Sequence, residues 1–465
     1  MKKIYKGNGN DLLLYNILQN IKKQEENKNK EEVKIKQEIN LNKFKVSENQ
    51  YKFLCDVMNG KNIFLTGNAG TGKSYLLQIM IKELRKKFNN NKFLETVYVT
   101  ASTGCASINI NGCTINAFSG IGSGQSDKKI LYERISKNEK CLHRWKIAKV
   151  LILDEISMVC GEIISKLDYI GKKIRESDKP FGGIQVIFSG DFYQLPPVFS
   201  EEFKQFAFES EKWNKIIDKN CVLTENFRQK GDLQYQSILN EIKKGNLSKE
   251  SEKILNTRLK SNLKKEEYFN ESYIMLFSHK KDVEKKNKIE YEKINEKEEV
   301  FEATLNNVND KEFVSNWCNA PISLKLKKKC RVMLLINLSF ELGLINGSIG
   351  FVESFEEKLK NPIIKFDNGV TYEIEKKEFK LEIGNEIISS LKQIPLMLCY
   401  AITIHKSQGI TVPRLEVSLK KSFEYGMIYV ALSRVTSLKG LIINDFDKEK
   451  ITVNPKVVEF YKSIK

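Results

Sequence analysis

The run Gly67-Asn68-Ala69-Gly70-Thr71-Gly72-Lys73-Ser74 fits G-x-x-x-x-G-K-[ST] and lies between two segments of opposite character. Ile63-Phe64-Leu65-Thr66 before it is short, apolar and β-leaning, whereas Tyr75 to Leu84 after it carries apolar residues at helical spacing with no Pro or Gly. A strand must therefore turn sharply into a helix here. Gly67, Gly70 and Gly72 allow backbone N–H groups to point inward at phosphates, with Thr71 completing the loop, and the helix start adds its positive dipole end. Lys73 then reaches the β/γ-phosphates of a nucleoside triphosphate, and Ser74 is placed to ligate Mg²⁺.

The remaining strand-like runs are almost continuously apolar: Val97 to Thr100, Val150 to Leu153 and Val186 to Ser189. Strands of that kind are buried on both faces, so an α/β fold with a parallel sheet covered by helices follows. Apolar runs return at Tyr273 to Phe277, Leu396 to Ala401 and Leu441 to Asn444 and predict a second α/β layer. Between them, at about 322 to 394, short β-like pieces and the turn signals Asn346-Gly347 and Asp367-Asn368-Gly369 predict a β-rich insertion. Residues 1 to 44, dominated by Lys, Glu and Asn, read as a weakly ordered tail with one apolar patch from Leu12 to Ile21. The Lys/Glu-rich segments at 256 to 270 and 280 to 300 read as helical exteriors or loops.

The chain has 465 residues and a net charge of +18, which fits a polyanionic partner but also a Lys-rich solvated surface. Nine cysteines without a C-x-x-C pair, and three histidines, argue against a zinc module or disulfide framework and for a reducing compartment. With no membrane-length apolar run and no secretory or transit leader, the expectation is a soluble intracellular protein with no membrane partner.

Further chemistry sits at strand ends. Leu151-Ile152-Leu153-Asp154-Glu155 closes a strand on two carboxylates, Asp154 suited to Mg²⁺ and Glu155 to polarising a water that attacks the γ-phosphate. Gln194, in Gly190-Asp191-Phe192-Tyr193-Gln194-Leu195-Pro196-Pro197, is a candidate γ-phosphate sensor. Arg228 and Arg434, in Asn226-Phe227-Arg228-Gln229 and Tyr429-Val430-Ala431-Leu432-Ser433-Arg434, are candidate arginine fingers, with surface salt bridges as the plainer alternative.

Taken in order, these motifs resemble the Pif1-like helicases, superfamily 1 enzymes of the 5′-to-3′ class. Thr66 to Ser74 is similar to that family's motif I, Thr100 to Ala106 with Asn111 to Ile115 to motif Ia, and Asp154 to Val159 to motif II. Gly190 to Val198, Asn226 to Gln229, Ala401 to Gly409 with Thr411, and Tyr429 to Arg434 resemble motifs III to VI, so the likeness runs over about residues 46 to 445. It implies two RecA-like P-loop NTPase domains, with a small 1B element near 120 to 145 and an SH3-like β-rich 2B insertion. The boundaries expected are 45 to 205 for 1A, 206 to 321 with 395 to 465 for 2A, and 322 to 394 for 2B.

The same resemblance implies ATP and Mg²⁺ as ligands, with Gln50 of Ser47-Glu48-Asn49-Gln50 on the adenine and Gly409 in the nucleotide site. It places Thr103, Thr114, Asn116, Phe118, His405, Lys406 and Thr411 along a single-strand channel. There hydroxyls and cations meet phosphates, and Phe118 or His405 stacks a base, although a lone Phe is as readily core as platform. It implies 5′-to-3′ translocation on single-stranded DNA and unwinding of tailed or forked duplex, in replication, repair, recombination or telomere maintenance, by a monomer with dimerisation on DNA as an option. An RNA or RNA–DNA hybrid helicase, and an ATP-switched binding protein, are the alternatives; the nucleus is the compartment expected of a eukaryotic chain, with mitochondrion and viral replication site as the alternatives. Two departures stand out: where many relatives carry His stands Asn116, whose amide offers a weaker stacking face, and where an Asp is usual stands Cys160, with Glu162 nearby as a substitute acid.

Overall fold

The structure, a computed structural model, describes residues 46–88, 95–264, 273–305, 318, 320–339, 341–383 and 386–464. The tail expected at 1 to 44 lies outside them. The chain divides into two compact units, Met1–Lys61 and Asn62–Lys465. In the first, helix Glu48–Met58 starts with a capping box, in which the Ser47 hydroxyl accepts from Gln50 N and the Gln50 side chain accepts from Ser47 N.

The second unit is built on two parallel sheets. Strands β1 (Ile63–Gly67), β2 (Val97–Ala101), β3 (Cys113–Thr114), β4 (Val150–Asp154), β5 (Gln185–Ser189) and β6 (Lys219–Leu223) form a six-stranded sheet in the order β3-β2-β4-β5-β1-β6. Every pairing is parallel, and β1, β2 and β5 are buried along their whole length, as their apolar runs require. Parallel pairing puts all carboxyl ends on one edge, so Gly67 and Asp154 emerge together although 87 residues separate their numbers. The element expected near 120 to 145 is a pair of helices, Lys128–Ser136 and Glu139–Ile147, whose Leu131, Ile135, Cys141 and Trp145 enter the core shared with β4 and helix Gly161–Ile174.

Strands β7 (Ile274–Phe277), β18 (Ala401–Thr403), β19 (Leu415–Ser418) and β20 (Leu441–Asp445) form the second parallel sheet, ordered β18-β7-β19-β20. Between β7 and β18 the chain builds the β-rich insertion. Its main sheet is antiparallel, with β11 (Arg331–Leu334), β12 (Ile349–Phe355), β13 (Pro362–Phe366), β14 (Thr371–Glu373) and β17 (Leu396–Leu398) in the order β14-β13-β12-β11-β17. Its own core includes Val332, Leu334, Val352, Ile364 and Leu396. Strand β17 pairs with β11 and closes this sheet just before β18, which pairs directly with β7. Strands β8 (Glu298–Glu302) with β10 (Ser323–Lys327), and β9 (Thr304–Leu305) with β15 (Lys377–Ile383) and β16 (Glu386–Gln393), complete it.

Four features depart from the expected boundaries. The first sheet does not stop at 205, because β6 pairs with β1 in register from Ile63↔Lys219 to Gly67↔Leu223; Lys219 and Asn220 had broken the apolar signal of this edge strand. The insertion starts at β8 rather than 322, its Glu-rich strand paired to the Lys-bearing β10, and it keeps Leu396–Leu398, which had read as part of the second layer. The final helix, Pro455–Ser463, does not stay with the second sheet. Its Phe460 packs 5.9 Å from Phe64 and 5.5 Å from Phe192, and Tyr461 stacks on Tyr193 at 4.7 Å. Among the described residues no helix is long and apolar enough to cross a membrane.

Candidate active site

The loop after β1 is held from three sides. Tyr429 OH accepts from Ala69 N at 3.0 Å, Phe227 N donates to Gly70 O at 2.8 Å, and Asn226 Nδ2 donates to Ala69 O at 3.3 Å. Gly70 has φ +82°, and a Cβ there would lie 2.6 Å from Arg228 Cβ, so only glycine permits this approach. A Cβ on Gly67 would meet Leu223 O at 2.6 Å. Thr71 Oγ1 donates to Asn68 O at 2.8 Å, and Gly72 leads into helix Lys73–Phe88. Lys73 Nζ donates to Gly67 O at 2.7 Å and Asn68 O at 3.0 Å, which keeps the amine at the loop. Burial pulls the Lys73 pKa down, while Asp191 and Glu155 oppose that.

Asp154 ends β4, and burial raises its pKa against the opposing Ser189 hydroxyl, Glu155 N–H and Lys73. Glu155 follows with φ +53°, a strained left-handed conformation for a non-glycine residue that turns its side chain back into the cleft. Burial first, then the neighbouring Asp154 charge, pushes Glu155 up to about 7. Gln408 Nε2 donates to Glu155 Oε2 at 3.0 Å, so a residue carried on the second sheet grips the carboxylate at the edge of the first.

Arg434 is buried and Arg228 half-buried, and among the described residues neither sits in a surface salt bridge. Arg228 Nη1 donates to Ser433 O at 2.8 Å; Arg434 donates from Nε to Val430 O at 2.8 Å, from Nη2 to Ser433 Oγ at 2.7 Å and from Nη1 to Ser407 O at 3.3 Å. Burial lowers both, Arg228 to about 9 with Arg434 adding repulsion, and Arg434 to about 10 with Tyr429 and Glu155 opposing. Both stay charged at neutral pH. Lys73, Asp154, Glu155 and Arg434 thus form one electrostatic cluster, with Arg228 beside it. Gln194 is buried, its backbone N–H bonds Asp191 O at 2.9 Å, and it is not among the residues lining the cleft. Gln50 lies in the separate N-terminal unit, where its side chain closes the capping box.

Asp191, fully buried, joins residues that sequence reasoning had not singled out. Tyr461 OH donates to Asp191 Oδ1 at 3.2 Å, accepts from Phe192 N at 3.1 Å and bonds Thr66 Oγ1 at 2.7 Å. Lys243 Nζ, on helix Leu233–Lys243, pairs with Asp191 Oδ2 at 3.5 Å, bonds Asn68 Oδ1 of the loop, and lies 4.4 Å from the Tyr193 ring centre and 5.4 Å from that of Tyr461. No motif spacing marks Lys243 or Tyr461; only folding brings them to the phosphate loop.

A single cleft is lined by Ser74, Asp154, Glu155 and Gly409 together with Thr103, His405 and Lys406. Thr103 Oγ1 accepts from Ala106 N, and Thr114 Oγ1 caps helix Ile115–Ser119 through Ala117 N. Asn116, Lys406 and Thr411 are exposed, and His405 Nε2 lies 3.1 Å from Glu424 Oε2. Phe118 corrects the expectation of a stacking platform. It is fully buried between Tyr98 and Trp145, with ring centres 4.8 and 5.3 Å away, because helix Ile115–Ser119 turns its apolar face inward. At the other departure, Glu162 Oε1 accepts from Lys204 N at 2.9 Å, so this acid anchors the loop after β5.

A phosphate loop on one parallel sheet, met by an arginine and a glutamine from a second, is the arrangement of two-domain RecA-like P-loop NTPases, and this fold is of that class. The PIF1-like helicase family model matches residues 45–254. The ATP-dependent DNA helicase PIF1 of Xenopus laevis is 38% identical over 419 residues, covering 90% of this chain and 64% of that protein. A crystal structure of the Pif1 helicase from Candida albicans is 36% identical with a TM-score of 0.73, covering 91% of this chain and all of that one. One of Bacteroides Pif1 in complex with ADP-AlF3 and ssDNA is 29% identical with a TM-score of 0.62, covering 90% and 97% of the two chains. The chain belongs to the PIF1-like helicase family. It spans less than two thirds of the length of the curated relatives it matches first.

Proposed function

We propose that this chain is an ATP-dependent DNA helicase that moves 5′-to-3′ along single-stranded DNA and opens tailed or forked duplex. The observation that carries the reading is the Gln408–Glu155 hydrogen bond: Gln408 belongs to the same short segment as His405 and Lys406, so the strand-facing surface and the hydrolytic carboxylate share one hinge of contact. The Bacteroides relative bound to ADP-AlF3 and ssDNA supports the same pairing of ligands.

ATP is the substrate of this site. Lys73 and the loop N–H groups hold its phosphates, and Glu155 orients the attacking water and takes its proton. The water oxygen bonds the γ-phosphorus as the bond to the bridging oxygen breaks, leaving ADP and inorganic phosphate. Arg228 and Arg434 neutralise the charge that develops on the transferring group. The donor set at Ser74 and Asp154, a hydroxyl and a carboxylate on one cleft wall, fits Mg²⁺, which would neutralise phosphate charge there. Thr103, Thr114, Asn116, His405, Lys406 and Thr411 contact the strand. Closing the cleft on ATP and reopening it after hydrolysis alternates the grip of the two domains and moves the strand.

The test is ATP-dependent strand displacement on matched duplexes with a 5′ tail, a 3′ tail or none. Opening of the 5′-tailed duplex alone, lost in Lys73→Ala, is expected; equal opening of all three, or hydrolysis without opening, overturns it.

A further inference from the structure

A single exposed apolar side chain is ordinary, but a cluster of exposed rings is not, and Phe423, 58% exposed, belongs to one. It is not isolated. The His279 ring stacks on it with centres 5.2 Å apart and planes 16° apart, and His405 lies 6.4 Å away at 28°. Three nearly parallel rings, contributed by the end of β7, by the segment after β18 and by the loop after β19, therefore form one row on the surface. The row is continuous with the cleft, because His405 lines that cleft. His279 sits at the start of helix Lys280–Glu292 without using its side chain as a cap, so its ring is free to serve the stack. His405 is fixed from the side by Glu424.

The surroundings select the occupant. Lys280, Lys406, Lys420 and Lys421, each within three positions of a ring of the row, are exposed; Lys421 pairs with Asp282 at 3.3 Å and Lys280 with Glu284 at 3.5 Å, which leaves Lys406 and Lys420 as the cations with no carboxylate contact among the described residues. Cations flanking parallel rings suit a chain of phosphates bearing flat apolar faces, not an apolar protein segment. We infer that the His279–Phe423–His405 row is a nucleobase platform, on which Phe423 stacks a base of the single strand as it runs over the second parallel sheet. Each ring plane substitutes for a neighbouring base, so the platform is tolerant of sequence. The inference rests on the single-strand reading of the cleft and adds the residues that hold a base beyond His405.

The experiment measures equilibrium binding, at fixed salt, of wild type, Phe423→Ala and Phe423→Tyr to a single-stranded DNA oligonucleotide and to a series of the same oligonucleotide carrying one abasic site at successive positions. In wild type, one position is expected to cost about 5- to 150-fold when its base is removed, the range typical of one base–aromatic stack. Phe423→Ala should bind the intact strand weaker by that factor and become indifferent to the abasic site there, while Phe423→Tyr restores both. Phe423→Ala with wild-type affinity and an unchanged abasic profile overturns the platform while leaving the strand-binding reading intact. Failure of wild type to bind the strand at all overturns both. Because the side chain is exposed, its truncation leaves the core untouched.

Discussion

Gln408 Nε2 donates to Glu155 Oε2 at 3.0 Å across 253 positions of sequence, which ties the carboxylate best placed to activate water to the second sheet. Hydrolysis should therefore respond to the segment that carries Gln408, the one proposed to contact the strand. Gln408→Ala is expected to lower ATP turnover about tenfold and blunt its stimulation by single-stranded DNA, with nucleotide affinity little changed, since a positioned acid–base group contributes about 10²- to 10⁴-fold and this bond only orients it. Steady-state ATPase assays with and without strand, beside equilibrium nucleotide binding, check this.

Glu155 gives a pH dependence of definite sign. Burial and Asp154 raise its pKa from 4.5 to about 7, so below that value the group is protonated and cannot accept a proton. The rate of hydrolysis at low substrate should rise with pH through about 7. Between pH 4.5 and about 7 the native state binds more protons than the unfolded chain, so ionising Glu155 costs stability as pH rises through that window. Glu155→Gln should then be the more stable protein at pH 8 while losing turnover, read by thermal unfolding and ATPase rate together.

Arg434 offers its guanidinium to three acceptors from inside the protein, a geometry lysine cannot reproduce. Arg434→Lys should reduce hydrolysis by about 10³-fold or more, in the range of arginine fingers, and should lower the melting temperature as well. Arg228, with a single such bond to Ser433, should lose turnover on replacement by Ala with a smaller change in melting temperature.

Phe118→Ala separates core from platform. Emptying a fully buried aromatic site between Tyr98 and Trp145 should cost about 3 to 5 kcal/mol in denaturant unfolding. The affinity of the folded fraction for single-stranded DNA should not change.

Tyr461→Phe removes one oxygen that serves Thr66, Phe192 N and Asp191 while keeping the stack on Tyr193. Leaving a buried N–H and a buried carboxylate short of a partner should cost about 1 to 3 kcal/mol, measured by the unfolding midpoint.

Local chemistry was legible before folding was considered. The glycine spacing from Gly67 to Gly72 required a strand-to-helix turn around phosphates, and continuous apolar runs such as Val150 to Leu153 required buried parallel strands. Carboxylates and arginines at strand and helix ends marked the chemistry, because those groups must sit where the backbone leaves the sheet. Where a polar edge strand or a Lys/Glu-rich strand broke the periodicity, as at Lys219–Leu223 and Glu298–Glu302, the boundaries moved.

What only the tertiary structure decided depends on contacts between residues far apart in number. Phe118 is apolar in either role, and nothing local distinguishes a core ring from an exposed one; the helix rotation that seats it beside Trp145 does. Lys243, Tyr461 and Gln408 acquire meaning from neighbours 52 to 395 positions away, and the exposed Phe423 gains its two histidines only when β7, β18 and β19 align. Periodicity and motif spacing report what a chain does within a turn or a strand. Coupling between sites is a property of distances in space, and those are set by packing.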